Sequence, residues 1–277
     1  MKFRKESVTV NGREVLYWQK NREQKPIIVF LHGFPGSHKG LVDLASNIQG
    51  HGLIIPDLPA CGQSGPLLKK HSLKNYAKWV NDFLQTLAIS DAIIVGHSFG
   101  ARVALVFAVK YPQKINALVL ITPVVKVDSL VAKMGAFYYR VAKIMPSFMQ
   151  REWLSNKIYC GIKNRIILKS VGRKKRRELA GINIEETRNL SSKIEIEVFD
   201  EFYKSRLISE GGKIDINTLI VASDKDEIAT VSSVKGLRKR FTHSELKVMK
   251  NSGHLVPLER PLATAKIIQG WLNHLLA

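Results

Sequence analysis

Cysteine is almost missing from this chain of 277 residues. The two that occur, Cys61 and Cys160, stand in unrelated contexts with no Cys-x-x-Cys spacing and no histidine cluster beside them, so neither a disulfide framework nor a metal site is expected. Long hydrophobic runs are lacking as well. Stretches such as Ala117–Ile121 are far too short to cross a bilayer, and the basic start Lys2-Phe3-Arg4-Lys5 has no apolar segment behind it to form a secretory signal. The expectation is a cytoplasmic protein with no membrane span. Internal repeats and low-complexity tracts are absent, which argues against a solenoid or a disordered chain. Acidic residues are scarce, 23 against 43 Lys and Arg, for a net charge of +20. Nearly half of that excess lies between Lys126 and Arg206, with 18 basic and 9 acidic residues, and its densest run is Arg173-Lys174-Lys175-Arg176-Arg177. No nucleic-acid fold or interleaved aromatic motif accompanies the run. It reads as a solvated helix face, and no nucleic-acid partner is expected.

What the chain does have is 45% hydrophobic residues in patterned segments, enough to bury a sizeable core. Two alternating stretches, Glu6–Val10 and Glu14–Trp18, flank Asn11-Gly12 and predict a hairpin. Ile27–Leu31, Leu53–Ile55, Ala92–Val95, Ala117–Ile121 and Ile216–Ala222 are continuous apolar strands of the kind buried on both faces of a parallel sheet. Helical spacing lies between them, for instance Leu73, Tyr76, Ala77, Val80, Phe83 and Leu84 behind a capping Ser72. Alternating strands and helices predict a doubly wound α/β fold with a mostly parallel sheet of about eight strands. The rhythm breaks from about residue 125 to 206, where helical patterns occur without a convincing strand. That stretch is expected to be a helical insertion between a core of residues 1–124 and its continuation, 207–277.

Gly96-His97-Ser98-Phe99-Gly100 joins an apolar strand to a helix. The G-x-S-x-G spacing suits a sharp turn that lifts a serine above the sheet, with small residues where backbones crowd. Ligands of such sheets sit beyond the C-terminal strand ends. The loop His32-Gly33-Phe34-Pro35-Gly36, Ser98, Asp226 and His254 all fall there. Together with Asp57-x-Pro59-x-x-Gly62-x-Ser64 and Gly253-His254, these motifs in this order resemble the α/β-hydrolase family over nearly the whole chain except the insertion, which resembles the family's helical cap.

The resemblance implies a serine hydrolase that cleaves a small to medium carboxylic ester through an acyl-enzyme, without metal or organic cofactor. Ser98 would attack, His254 would take its proton, and Asp226 would hold the imidazole. The amides of Phe99 and, by resemblance, Phe34 would form the oxyanion hole. Asp224 and Asp128 compete with Asp226 for the acid role. Asp226 has an apolar residue two positions on, Ile228, as the family's acid loop does. Phe137, Tyr138, Met145, Phe148 and Met149 are candidates for a covered apolar pocket rather than an open lipid-interface site. Thioesterases, lactonases, carbon–carbon bond hydrolases and perhydrolases share the same triad, and a silent binding protein is a further class. His97, His32 and Asp57 are expected to brace loops, and Arg102 to sit in a salt bridge.

Overall fold

A computed structural model describes residues 2–126, 129–204 and 213–276. Eight strands, β1 (Arg4–Val10), β2 (Arg13–Lys20), β3 (Ile27–Leu31), β4 (Gly52–Pro56), β5 (Ala92–His97), β6 (Ile115–Ile121), β7 (Thr218–Ser223) and β8 (Ser244–Met249), form one sheet. Their order is β1-β2-β4-β3-β5-β6-β7-β8, with β1, β2 and β4 paired antiparallel and every pairing from β4 to β8 parallel. At the hairpin between β1 and β2, Asn11 and Gly12 both take positive φ, 51° and 73°, as the tight turn requires.

Helices cover both faces of the sheet. Ile27, Val29 and Leu31 of β3 pack with Ala92 and Ile94 of β5 into a core that also takes α2 (Leu73–Thr86), α3 (Phe99–Lys110) and α9 (Val231–Arg238). Ile28, Phe30, Ile93 and Val95 point the other way, onto α1 (Val42–Ser46) and α11 (Pro261–Leu276). The two-residue period of the strands thus feeds two apolar layers, which is why these runs are continuous rather than alternating. The short α10 (Val256–Glu259) follows the loop that carries His254.

Between β6 and β7 the described residues form α4 (Leu130–Ile144), α5 (Ser147–Leu154), α6 (Lys157–Ile167), α7 (Arg173–Asn189) and α8 (Ser192–Lys204). Among the ties that join them to the sheet region, three stand out. Arg102 of α3, fully buried, donates to the Phe202 carbonyl at 2.7 Å and stands 4.5 Å over the Phe202 ring. Ser37 bonds the carboxylate of Glu186. Glu259 of α10 accepts from the Lys169 and Ser170 amides and from Gly253 N, clamping the turn after α6 to the loop before His254. Among the described residues no helix is long and apolar enough to cross a membrane.

Candidate active site

Ser98 caps α3 from a strained position, with φ 51° and ψ −110°. The two glycines of the motif are steric necessities. A Cβ on Gly96 would lie 2.5 Å from the Gly100 carbonyl oxygen, and one on Gly100 would lie 2.1 Å from that of Leu31. Serine is tolerated at the apex because β5 and α3 are each anchored on both sides; its own amide donates to Ile121 O of β6 at 3.0 Å.

Ser98 Oγ lies 2.8 Å from His254 Nε2, and His254 Nδ1 lies 2.7 Å from Asp226 Oδ2. Asp226 is itself fixed, since its Oδ1 accepts from the Ile228 and Ala229 amides at 2.8 and 2.9 Å. Asp226 and His254 are both buried. A carboxylate only accepts, so Nδ1 carries the hydrogen and Nε2 presents its lone pair to the Ser98 hydroxyl. Asp224 is exposed and accepts from Ser252 N, and Asp128 lies outside the described residues. The His254 amide donates to Ile167 O at the end of α6, 2.9 Å away, while its carbonyl accepts from Thr122 Oγ1 and His97 Nε2.

The remaining histidines of the region are structural. His97 is buried, and desolvation pushes it down to about 3, so it remains a neutral donor to the His254 carbonyl. His32 accepts the Leu58 amide on Nε2 at 2.9 Å and donates from Nδ1 to Gly33 O at 2.7 Å; burial lowers its proton affinity too. Asp57 takes the His38 and Gln63 amides, tying the loops after β3 and β4 together.

A Cβ on Gly33 would lie 3.5 Å from the Ser98 Cβ, which measures how closely the loop after β3 runs past the serine. The Phe34 and Phe99 rings are 5.5 Å apart above it. Phe99 is the first residue of α3, so its amide is one of the helix's end donors.

The model of the alpha/beta hydrolase fold family matches residues 26–157. MGS-M2, an alpha/beta hydrolase enzyme from a Medee basin deep-sea metagenome library, superposes on 97% of this chain and 97% of its own with a TM-score of 0.81 at 24% identity. This chain has the α/β-hydrolase fold. Among curated relatives, the human monoacylglycerol lipase ABHD6 is 27% identical over 266 residues, spanning 90% of this chain and 75% of its own. Lipase 1 of Psychrobacter immobilis is 21% identical over 269 residues, 90% of this chain and 77% of its own. A thermophilic esterase from Thermogutta terrifontis shares the fold with a TM-score of 0.80 at 18% identity over 98% of this chain and 99% of its own.

Ser98 and His254 open into a cavity of about 710 Å³. Phe137 and Tyr138 line it. Met145, Phe148 and Met149 do not, which corrects the sequence reading: Phe148 and Met149 of α5 are exposed, and Met145 ends α4 on the far side of a turn. Further walls come from Tyr139 and from residues the sequence reading passed over, among them Tyr159, Leu179, Phe199 and Tyr203. Helical spacing of Ile196, Phe199 and Tyr203 on α8 is the signal that marks that helix as apolar-faced. Glu186 is the acidic residue of the lining, and burial raises its proton affinity.

Proposed function

We propose that this α/β-hydrolase cleaves carboxylic esters through an acyl-enzyme formed on Ser98. The unbroken chain from Ser98 Oγ through His254 to Asp226, at 2.8 and 2.7 Å, carries the reading. In it, Ser98 Oγ attacks the ester carbonyl carbon as His254 Nε2 takes the hydroxyl proton. The Asp226 carboxylate steadies the imidazolium without taking a proton. The Phe99 and Phe34 amides hold the tetrahedral oxyanion, aided by the positive end of α3. Collapse breaks the bond to the leaving alkoxide, which receives the proton from His254. Water then repeats the sequence on the acyl group, returning the proton to Ser98.

The described residues of 125–206 act as a cap over a core made by the described residues of 1–124 and 207–277. The cavity favours an ester with a large apolar acyl group, since its walls are mostly hydrophobic and its size suits a drug-sized or lipid ligand. Relatives named as monoacylglycerol lipase, lipase and esterase support ester over thioester or carbon–carbon cleavage. A monoacylglycerol is therefore the first substrate to assay.

Ser98→Ala is expected to lose ester turnover by about 10³-fold or more and all labelling by a fluorophosphonate, with an unchanged melting temperature. Unimpaired hydrolysis by that variant would refute the assignment. A folded parent protein that neither labels nor turns over any acyl ester would make the site a binding pocket.

A further inference from the structure

The residues that left the pocket have a place elsewhere. Of the twelve large apolar side chains most exposed among the described residues, eight lie on α4, α5 and α6. On α4 they follow one stripe: Leu130, Met134, Phe137 and Ile144 recur at steps of four, three and seven, so they share a helix face. Ile144 is 84% exposed there. The opposite face of the same helix, Ala132, Ala136, Tyr139 and Ala142, is the one packed inward. Phe148 of α5 and Ile158 of α6 are 79% and 75% exposed.

Two further observations specify what meets this face. Met134, Phe137 and Ile162 are more than half exposed and also line the cavity, so they stand at its mouth. The face is therefore continuous with the entrance to Ser98. Across α4 to α6 the sequence places seven Lys and Arg against one acidic residue, Glu152. Exposed Lys133 and Arg140 flank the α4 stripe, and Lys157 and Arg165 are exposed on α6. An apolar stripe bordered by cations is the signature of a helix lying in a lipid interface, whose attachment combines buried apolar area with attraction to anionic headgroups.

We infer that the α4–α6 face docks on an anionic lipid surface, so that the cavity mouth opens against the bilayer. Docking rests on the apolar stripe and its flanking cations and holds whether or not the cavity proves to hydrolyse esters. A covered pocket facing only water, as the sequence pattern suggests, would leave this face without a partner.

The test is sedimentation of Ser98→Ala protein with vesicles, so that no turnover complicates binding. Vesicles of phosphatidylcholine with about a third phosphatidylglycerol are compared with phosphatidylcholine alone. Binding to the anionic vesicles is expected to be at least about tenfold tighter and to weaken with salt. Replacing Ile144, Phe148 and Ile158 together by Ser, none of which lines the cavity, is expected to reduce vesicle binding about tenfold or more. In the Ser98 parent the same triple change leaves turnover of a soluble short-chain ester unaltered, which also reports that the variant folds. Arg140→Gln with Lys157→Gln is expected to erase the preference for anionic vesicles while leaving residual binding. No binding by the starting protein, or binding that the triple change leaves intact, overturns the inference. A dimer in sedimentation velocity that the triple change dissolves, without vesicle binding, would assign the face to a second copy instead.

Discussion

Two histidines border Ser98, and their hydrogen bonds give them opposite properties. His97 donates from Nε2 to a backbone carbonyl and is held neutral by burial; His254 has its Nδ1 hydrogen pinned by Asp226, leaving Nε2 as the acceptor. The same logic predicts what Asp226→Asn does. Oδ1 already receives two backbone amides, so the new amide group would take the Oδ2 place and point a donor at His254 Nδ1. The ring would turn to the tautomer with hydrogen on Nε2, unable to accept from Ser98. A fall in kcat of about 10³–10⁴-fold is expected, against less than about twofold for Asp224→Asn, measured on one soluble ester. Equal losses at both positions, or a larger one for Asp128→Asn, would move the acid. At this scale the sequence was legible where a motif fixes geometry: Gly96 and Gly100 leave Ser98 at the apex of the turn. It was less legible for the acid, because two aspartates two residues apart differ only in which way the loop after β7 turns them.

At the scale of elements, the strands and α2 could be read because each apolar pattern had one way to be buried, a continuous run between two helical layers and a single helix stripe against the sheet. α4 could not be read that way. Both of its faces are apolar, and a 3.6-residue period fits either stripe equally, so sequence alone does not say which aromatic or methionine turns toward the cavity. Packing of α4 against α8 decides it through Tyr139, whose ring stacks 3.8 Å from that of Phe199. The same contact buries a carboxyl. Glu195 of α8 is fully buried, accepts from Tyr139 Oη at 3.1 Å and lies 3.8 Å from Arg151, and desolvation pushes its carboxyl up to about 7. A carboxyl that holds its proton more tightly when folded contributes stability below its unfolded pKa, and that contribution is lost as pH rises to about 7. Glu195→Gln removes this dependence. The unfolding free energy of the variant relative to its parent is expected to rise by on the order of 3 kcal/mol between about pH 4.5 and 8, read by urea titration at several pH values. A difference that stays flat across that range would contradict the buried, protonated state.

For the whole molecule, the +20 charge acts as a field rather than as a set of pairs. Lys39, Lys133 and Lys163 line the cavity, so a substrate anion gains from the field on approach. The expected result is a kcat/KM for an anionic ester that falls severalfold from about 20 mM to about 0.5 M salt, while a neutral ester of the same acyl group is unaffected. Identical salt profiles would confine the charge to solubility and docking. The run Arg173–Arg177, exposed except for half-buried Arg176, opens α7 with positive charge at its positive end, which costs helix stability. The bond from His254 N to Ile167 O ties the loop that carries the proposed base to the end of α6, which lines the cavity. Through it the catalytic base and the ceiling of its chamber share one latch. A swing of α6 to admit a bulky substrate is expected to carry His254 with it, so that turnover waits on closure. Turnover of long-chain esters should then slow in proportion to solvent viscosity, whereas that of acetate esters, which enter without opening the chamber, should not. Equal viscosity dependence for both would break the link between gate and turnover.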